Sequence, residues 1–169
     1  MNKFPTPPGS RRATLVPLAA LVLSSALLLS CSGEPPAPRE ASDPQLSACP
    51  ESPNCVSSLA TDDEHSIDPF VLTAGADEAW QSARRILSEF PRTRIVNEGG
   101  NYLHAECTSR IFRFVDDLEL QLRPADGLIA VRSASRVGHS DLGVNRDRVE
   151  SLRASLAEAG LVEPAAAAD

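Results

Sequence analysis

The sequence predicts one small α+β domain, an antiparallel sheet of about four strands covered by two helices in α-β-β-β-β-α order. Three features of the chain point there. Apolar residues recur at three- and four-residue spacing from Gly75 to Phe90 and again from Asn145 to Glu158, as the buried stripe of a helix requires. Between those stretches the chain alternates apolar with polar residues, the pattern of strands with one covered face. Turn residues, Glu98-Gly99-Gly100-Asn101 and Pro124-Ala125-Asp126-Gly127 among them, separate the alternating runs.

In chain order, Lys3, Arg11 and Arg12 precede an apolar run from Leu15 to Leu29, and Ser30-Cys31 follows. This is the layout of an export signal over residues 1–30, and the run is short for a spanning helix. The Ser30-Cys31 junction resembles the bacterial lipobox, which implies that Cys31 carries a diacylglycerol and a further acyl chain such as palmitate. Several chains on one residue hold a protein on a membrane where a single chain would not. By analogy with the Gram-negative sorting rule, Ser32 points to the outer membrane, with the protein facing the periplasm. Residues 31–47 turn to Pro, Ala, Glu and Ser and read as a tether, reaching ~3 Å per residue where polyproline-like. Of the 16 basic residues, 13 lie beyond Cys31 against all 23 acidic ones, a net charge of about −10 that makes nucleic acid a poor partner. Lys3 is the only lysine.

The domain, residues 48–160, opens on Cys49-Pro50-Glu51-Ser52-Pro53-Asn54-Cys55. In an oxidising envelope two cysteines around such a turn read first as a disulfide. A bridge from either to Cys107, and a catalytic Cys55, remain alternatives, although no neighbouring base would activate Cys55. The acidic stretch around His65 reads as a surface loop with a solvated histidine. The first helix then places Ala76, Ala79, Trp80, Ala83, Leu87 and Phe90 inward, with Asp77 and Glu78 favouring its first turn and Pro91 ending it.

Strands are expected at Arg94–Asn97, Tyr102–Thr108, Phe114–Arg123 and Leu128–Ser135. Their parity puts Leu103, Ala105, Cys107, Leu118, Leu120, Leu122, Ile129 and Val131 on a core face. The opposite face gathers His104, Glu106, Asp117, Glu119, Arg132 and Arg136 and reads as solvated, with cross-strand ion pairs. The last helix turns Val149, Leu152 and Leu156 inward, with Asn145 or Asp141 as N-cap and Gly160 as stop. Residues 161–169 read as a disordered tail.

Two places could carry function. One is the charged sheet face. The other is the loop before the last helix, where Arg136, His139, Ser140 and Asp141, with Arg110, Arg132 and Arg146 nearby, could bind an anion at a helix N-terminus unless Asp141 fills that place. No metal site or cofactor is expected: His104 and Glu106, like His139 and Asp141, supply ligand types without metal-site spacing.

Three blocks, CPESPNCVSS, YLHAECTSRIFRFVDDLELQL and IAVRSASRVGHSDLGVNRDRVESLRASL, closely resemble the domain of unknown function 1499 family over about Leu46 to Leu156. The resemblance implies a small bacterial, often envelope-anchored protein, with relatives in plastid-bearing organisms and no activity to transfer residue by residue. Cys107 departs from the family pattern, which favours an unpaired core cysteine. The expected function is a non-enzymatic, membrane-anchored module for a small anionic or polar ligand or another envelope component. Alternatives are a hydrolase-like enzyme using Asp116, Asp117, His104, Glu106, His139 or Asp141 as acid and base, and a purely structural interaction protein.

Overall fold

A computed structural model describes residues 46–166; the signal segment, Cys31 and most of the tether lie outside them, as do residues 167–169. The elements run β1 (Cys55–Ser57), β2 (Phe70–Val71), α1 (Ala76–Glu89), β3 (Thr93–Gly99), β4 (Tyr102–Thr108), β5 (Val115–Arg123), β6 (Leu128–Ser135) and α2 (Val144–Glu158). The sheet has six antiparallel strands in the order β1-β6-β5-β4-β3, with β2 also paired to β6. Class, helices and the β3 to β6 meander agree with expectation. The four-strand count does not. Strands of three and two residues are too short to display a period of two, so β1 and β2 are recognised only through their pairing with β6.

Both helices cover one face. Ala79, Trp80, Ala83 and Leu87 of α1 and Val149, Leu152 and Leu156 of α2 share a cluster with Leu103, Ala105, Leu118, Leu120, Ile129 and Val131. Burying each of the large side chains contributes about 1.5–3 kcal/mol. Pro91 accounts for the end of α1, because the residue before proline is pushed out of the helical region; Phe90 has ψ 137°. The β3–β4 connection narrows to Gly100 and Asn101, with Gly100 at φ 54°, where a Cβ would be costly.

The boundaries expected at both ends need correction. Leu46, placed in the tether by its surroundings, is buried against Tyr102 and Ala130. Leu161 and Val162, placed in a disordered tail, are buried. Val162 bridges to Leu72, while the Thr73 and Glu163 amides donate to the Leu161 and Val71 carbonyls. Arg153 adds to this closure, donating to the Asp68 and Pro69 carbonyls and lying 4.8 Å over the Phe70 ring.

Cys49 and Cys55 are joined as a disulfide, and Cys107 is free and buried in the core. Burial pushes the Cys107 thiol up, as expected of an inert core cysteine. His65 is not solvated. Its Nδ1 lies 2.7 Å from Asp62 Oδ1 and its Nε2 3.2 Å from the Ser52 carbonyl. Both partners are acceptors, so only the doubly protonated ring satisfies both; the Asp62 hydrogen bond raises its pKa. A raised folded pKa gives stability that is complete below the unfolded value, near 6.5, and fades as pH rises through the folded one. His65→Gln should therefore cost most at about pH 5.5, with the gap to wild type narrowing toward about pH 9 in urea denaturation; a pH-independent gap refutes this charged link.

Candidate functional site

Strand alternation on β5 sends two adjacent carboxylates to opposite faces of the sheet. Asp117 faces away from the helices, opposite Glu106 of β4. It accepts two hydrogen bonds from Arg136, at 2.9 and 2.6 Å, and its Oδ1 lies 2.7 Å from His104 Nε2. Arg136 also donates to Glu106 at 2.8 Å, and Glu106 accepts from Arg94 at 2.8 Å. One row along, Glu119 accepts from Tyr102 at 2.7 Å and from Arg132 at 2.8 Å. The face expected to be solvated is buried instead: His104 is 5% exposed and Glu119 0%. Alternation tells which residues share a side, not whether that side is covered. Here Leu46 lies on Tyr102, and Arg136 folds across Asp117 and Glu106.

Burial alone would raise Asp117, but hydrogen bonds from His104 and Arg136 outweigh it and hold the carboxyl below its ordinary value. Arg136 likewise lowers Glu106, against the opposing effect of burial. Asp117 holds Arg136 firmly protonated. His104 and Asp117 are thus an enclosed pair, whereas His139 is exposed in the next loop, so the two histidines do not meet as an acid–base pair.

Asp116 points the other way, toward α2. It accepts from Arg148 at 2.5 Å, and Arg148 also donates to Asn145 Oδ1 and Ser133 Oγ. Asn145 is wholly buried and is not the N-cap. Its amide donates to the Asn54 carbonyl and Ser135 Oγ, both at 3.0 Å. Asn54, within the disulfide loop, donates to the Gly138 carbonyl at 2.6 Å. Asp141 is not the N-cap either: that residue is Gly143, at φ 84°, and Asp141, two residues before it, reaches forward so that its carboxylate accepts from the Gly143 and Asn145 amides at 3.0 and 2.7 Å. The helix N-terminus is therefore already occupied by an internal anion. Arg146 is spent on the Glu64 and Ser66 carbonyls, and Ser140 Oγ accepts from the Leu142 amide.

The loop between Arg136 and Arg148 thus has a polar anchor on each face, and between them Leu142 and Val144 carry exposed apolar side chains. Leu142 is 93% exposed and held at φ 57°. A bulky side chain in this left-handed region costs about 1–2 kcal/mol. Facing it is the β4–β5 turn, with Ile111 78% and Phe112 73% exposed, and Arg113 at φ 59°. Ser109 closes that turn through its amide to the Phe114 carbonyl and its hydroxyl from the Phe114 amide. Phe112 stacks on Phe114 at 5.5 Å. Between the loops runs a groove of about 820 Å³, lined by Ile111, Phe112, Phe114, Val137, Leu142 and Val144, with Asp116 and the exposed Arg110 also in its walls.

A family model described as a protein of unknown function (DUF1499) matches residues 45–156. The chain belongs to the DUF1499 family. No curated protein and no solved structure matches it. The DUF1499 match spans both loops, both arginine anchors and the disulfide loop, whose Asn54 holds the Gly138 carbonyl.

Of the site residues expected from sequence, Glu106, Asp117 and Arg136 come together with His104, Arg132 pairs with Glu119, and Asp141 accepts from amides at the start of α2. Arg110 lies at the groove, and His139 is exposed in the loop that forms the other wall. Missing from that set were Arg148, Asn145 and Asn54, and the apolar lining itself. Its available signal was apolar residues inside turns, Ile111-Phe112 and Leu142 next to Gly143, where no element can bury them. Among the described residues no three His, Cys, Asp or Glu side chains cluster as a metal site.

Arg136→Ala leaves Asp117 and Glu106 enclosed without their main cation, and should lower stability by about 3–5 kcal/mol in chemical denaturation. Both carboxyls titrate below their ordinary values when folded, so their contribution is full at neutral pH and fades as pH falls through the folded values. Wild type should therefore lose stability steeply below about pH 4, and Arg136→Ala should lose less over the same interval.

Proposed function

We propose that this DUF1499 protein is a membrane-anchored envelope lipoprotein that acts as a non-enzymatic binding module, its ligand an anionic envelope amphiphile. The hydrocarbon part lies in the groove between the β4–β5 turn and the loop before α2; the acidic group meets Arg110. The observation that carries this reading is the apolar groove of about 820 Å³, within the size range of small-molecule sites, whose wall includes a leucine kept exposed on left-handed backbone.

An anionic ligand with no apolar part is less well supported, because Arg132, Arg136 and Arg146 are committed to partners inside the protein. Arg110 is exposed at the groove and has none. The anchor is read from Ser30-Cys31 and the preceding apolar run. Such an anchor keeps the domain where acylated molecules are concentrated, so a modest affinity suffices.

The described residues carry a hydrophobic core of their own, so residues 32–169 are a fair test object. The fluorescent fatty acid cis-parinaric acid should bind this chain with enhanced emission. Val137→Trp, which fills the groove, should weaken binding by about tenfold or more while leaving the circular dichroism spectrum unchanged. Equal binding by both proteins, or none by wild type, contradicts the proposal.

A further inference from the structure

The tips of the two loops have a property the groove does not need. Among the described residues, Arg110 and Arg113 are the arginines without a partner: the others pair with carboxylates, as Arg84 does with Glu98 and Arg148 with Asp116, or donate to other side-chain or carbonyl oxygens, as Arg92, Arg123 and Arg146 do. The two free ones flank Ile111-Phe112 in one exposed turn, opposite the protruding Leu142. Apolar tips beside unpaired guanidinium groups suit a bilayer interface, where the apolar part enters and the cations stay among phosphates.

Charge elsewhere gives the orientation. The chain beyond Cys31 carries about −10, so an anionic surface repels the body and attracts this end. Connection geometry permits the contact. Leu46 lies on Tyr102, at the end of β4 away from the loops, and the seven residues of β4 span ~23 Å. About 15 residues separate Cys31 from Leu46, enough for a reach of ~45 Å.

We propose that the loop end docks onto an anionic lipid bilayer, with Ile111, Phe112 and Leu142 entering the interface and Arg110 and Arg113 meeting headgroup phosphates. This goes beyond the groove reading and stands without it, since tip insertion requires no ligand between the loops.

Flotation of residues 32–169 with phosphatidylcholine vesicles and with equimolar phosphatidylcholine–phosphatidylglycerol vesicles tests it. The chain should float with the anionic vesicles and stay behind with the neutral ones. Partitioning should fall about five-fold for each of Arg110→Gln and Arg113→Gln, and Phe112→Asp/Leu142→Asp should abolish it. Arg113 does not line the groove, so Arg113→Gln should keep its affinity for cis-parinaric acid; loss of one activity without the other tells the two proposals apart. No flotation, equal flotation with both vesicles, or flotation indifferent to the aspartates overturns the docking proposal. So does a vesicle-free dimer that Phe112→Asp dissolves, which would assign the surface to a second copy of the chain.

Discussion

Adjacent carboxylates on a central strand, Asp116 and Asp117, are the constraint on which the working end of this molecule depends. Consecutive residues of a strand face opposite sides, so each aspartate grips a different arginine. Asp117 holds Arg136, where the chain leaves β6, and Asp116 holds Arg148, in the first turns of α2. The connection between those arginines is fixed at both ends by buried charge. Removing either partner would leave an enclosed ion uncompensated, which costs far more than an exposed pair contributes.

A pinned connection explains how the protein keeps apolar side chains in water. Left free, a loop carrying Val137, Leu142 and Val144 would collapse onto the nearest hydrophobic surface. Here Asn54 holds the Gly138 carbonyl, the Asp141 carboxylate accepts from the Asn145 amide and the N-cap residue Gly143 takes φ 84°, so Leu142 is directed outward on strained backbone. The disulfide loop that supplies Asn54 is itself tied to the sheet through β1. CPESPNC therefore braces the loop through Asn54.

How much of this was legible in the sequence follows from what each signal measures. Alternation located β4, β5 and β6 to within a residue and sorted their faces, because seven to nine residues display a period of two clearly. It missed the brief β1 and β2, and it said nothing of what covers the second face, so His104 and Glu119 were expected in water and are enclosed. Buried position is equally invisible for Asn145, which looks like a cap and is a core hydrogen-bonding hub. At the site, the sequence drew attention to Arg136 to Asp141 and to Arg110 through their charge. The more informative residues there were Ile111, Phe112 and Leu142, apolar side chains in turns, which have no place in a search for charged chemistry.

Of the two candidate places, this account puts function at the loop end and not on the charged sheet face, and that choice is its central claim. Amide-resolved NMR of residues 32–169, titrated with dihexanoyl phosphatidylglycerol below its micelle concentration, tests it most directly. The account predicts shifts confined to the turn from Ser109 to Phe114 and the loop from Val137 to Val144. Shifts centred instead on His104, Glu119 and Arg132, or no shifts in either loop, would contradict it.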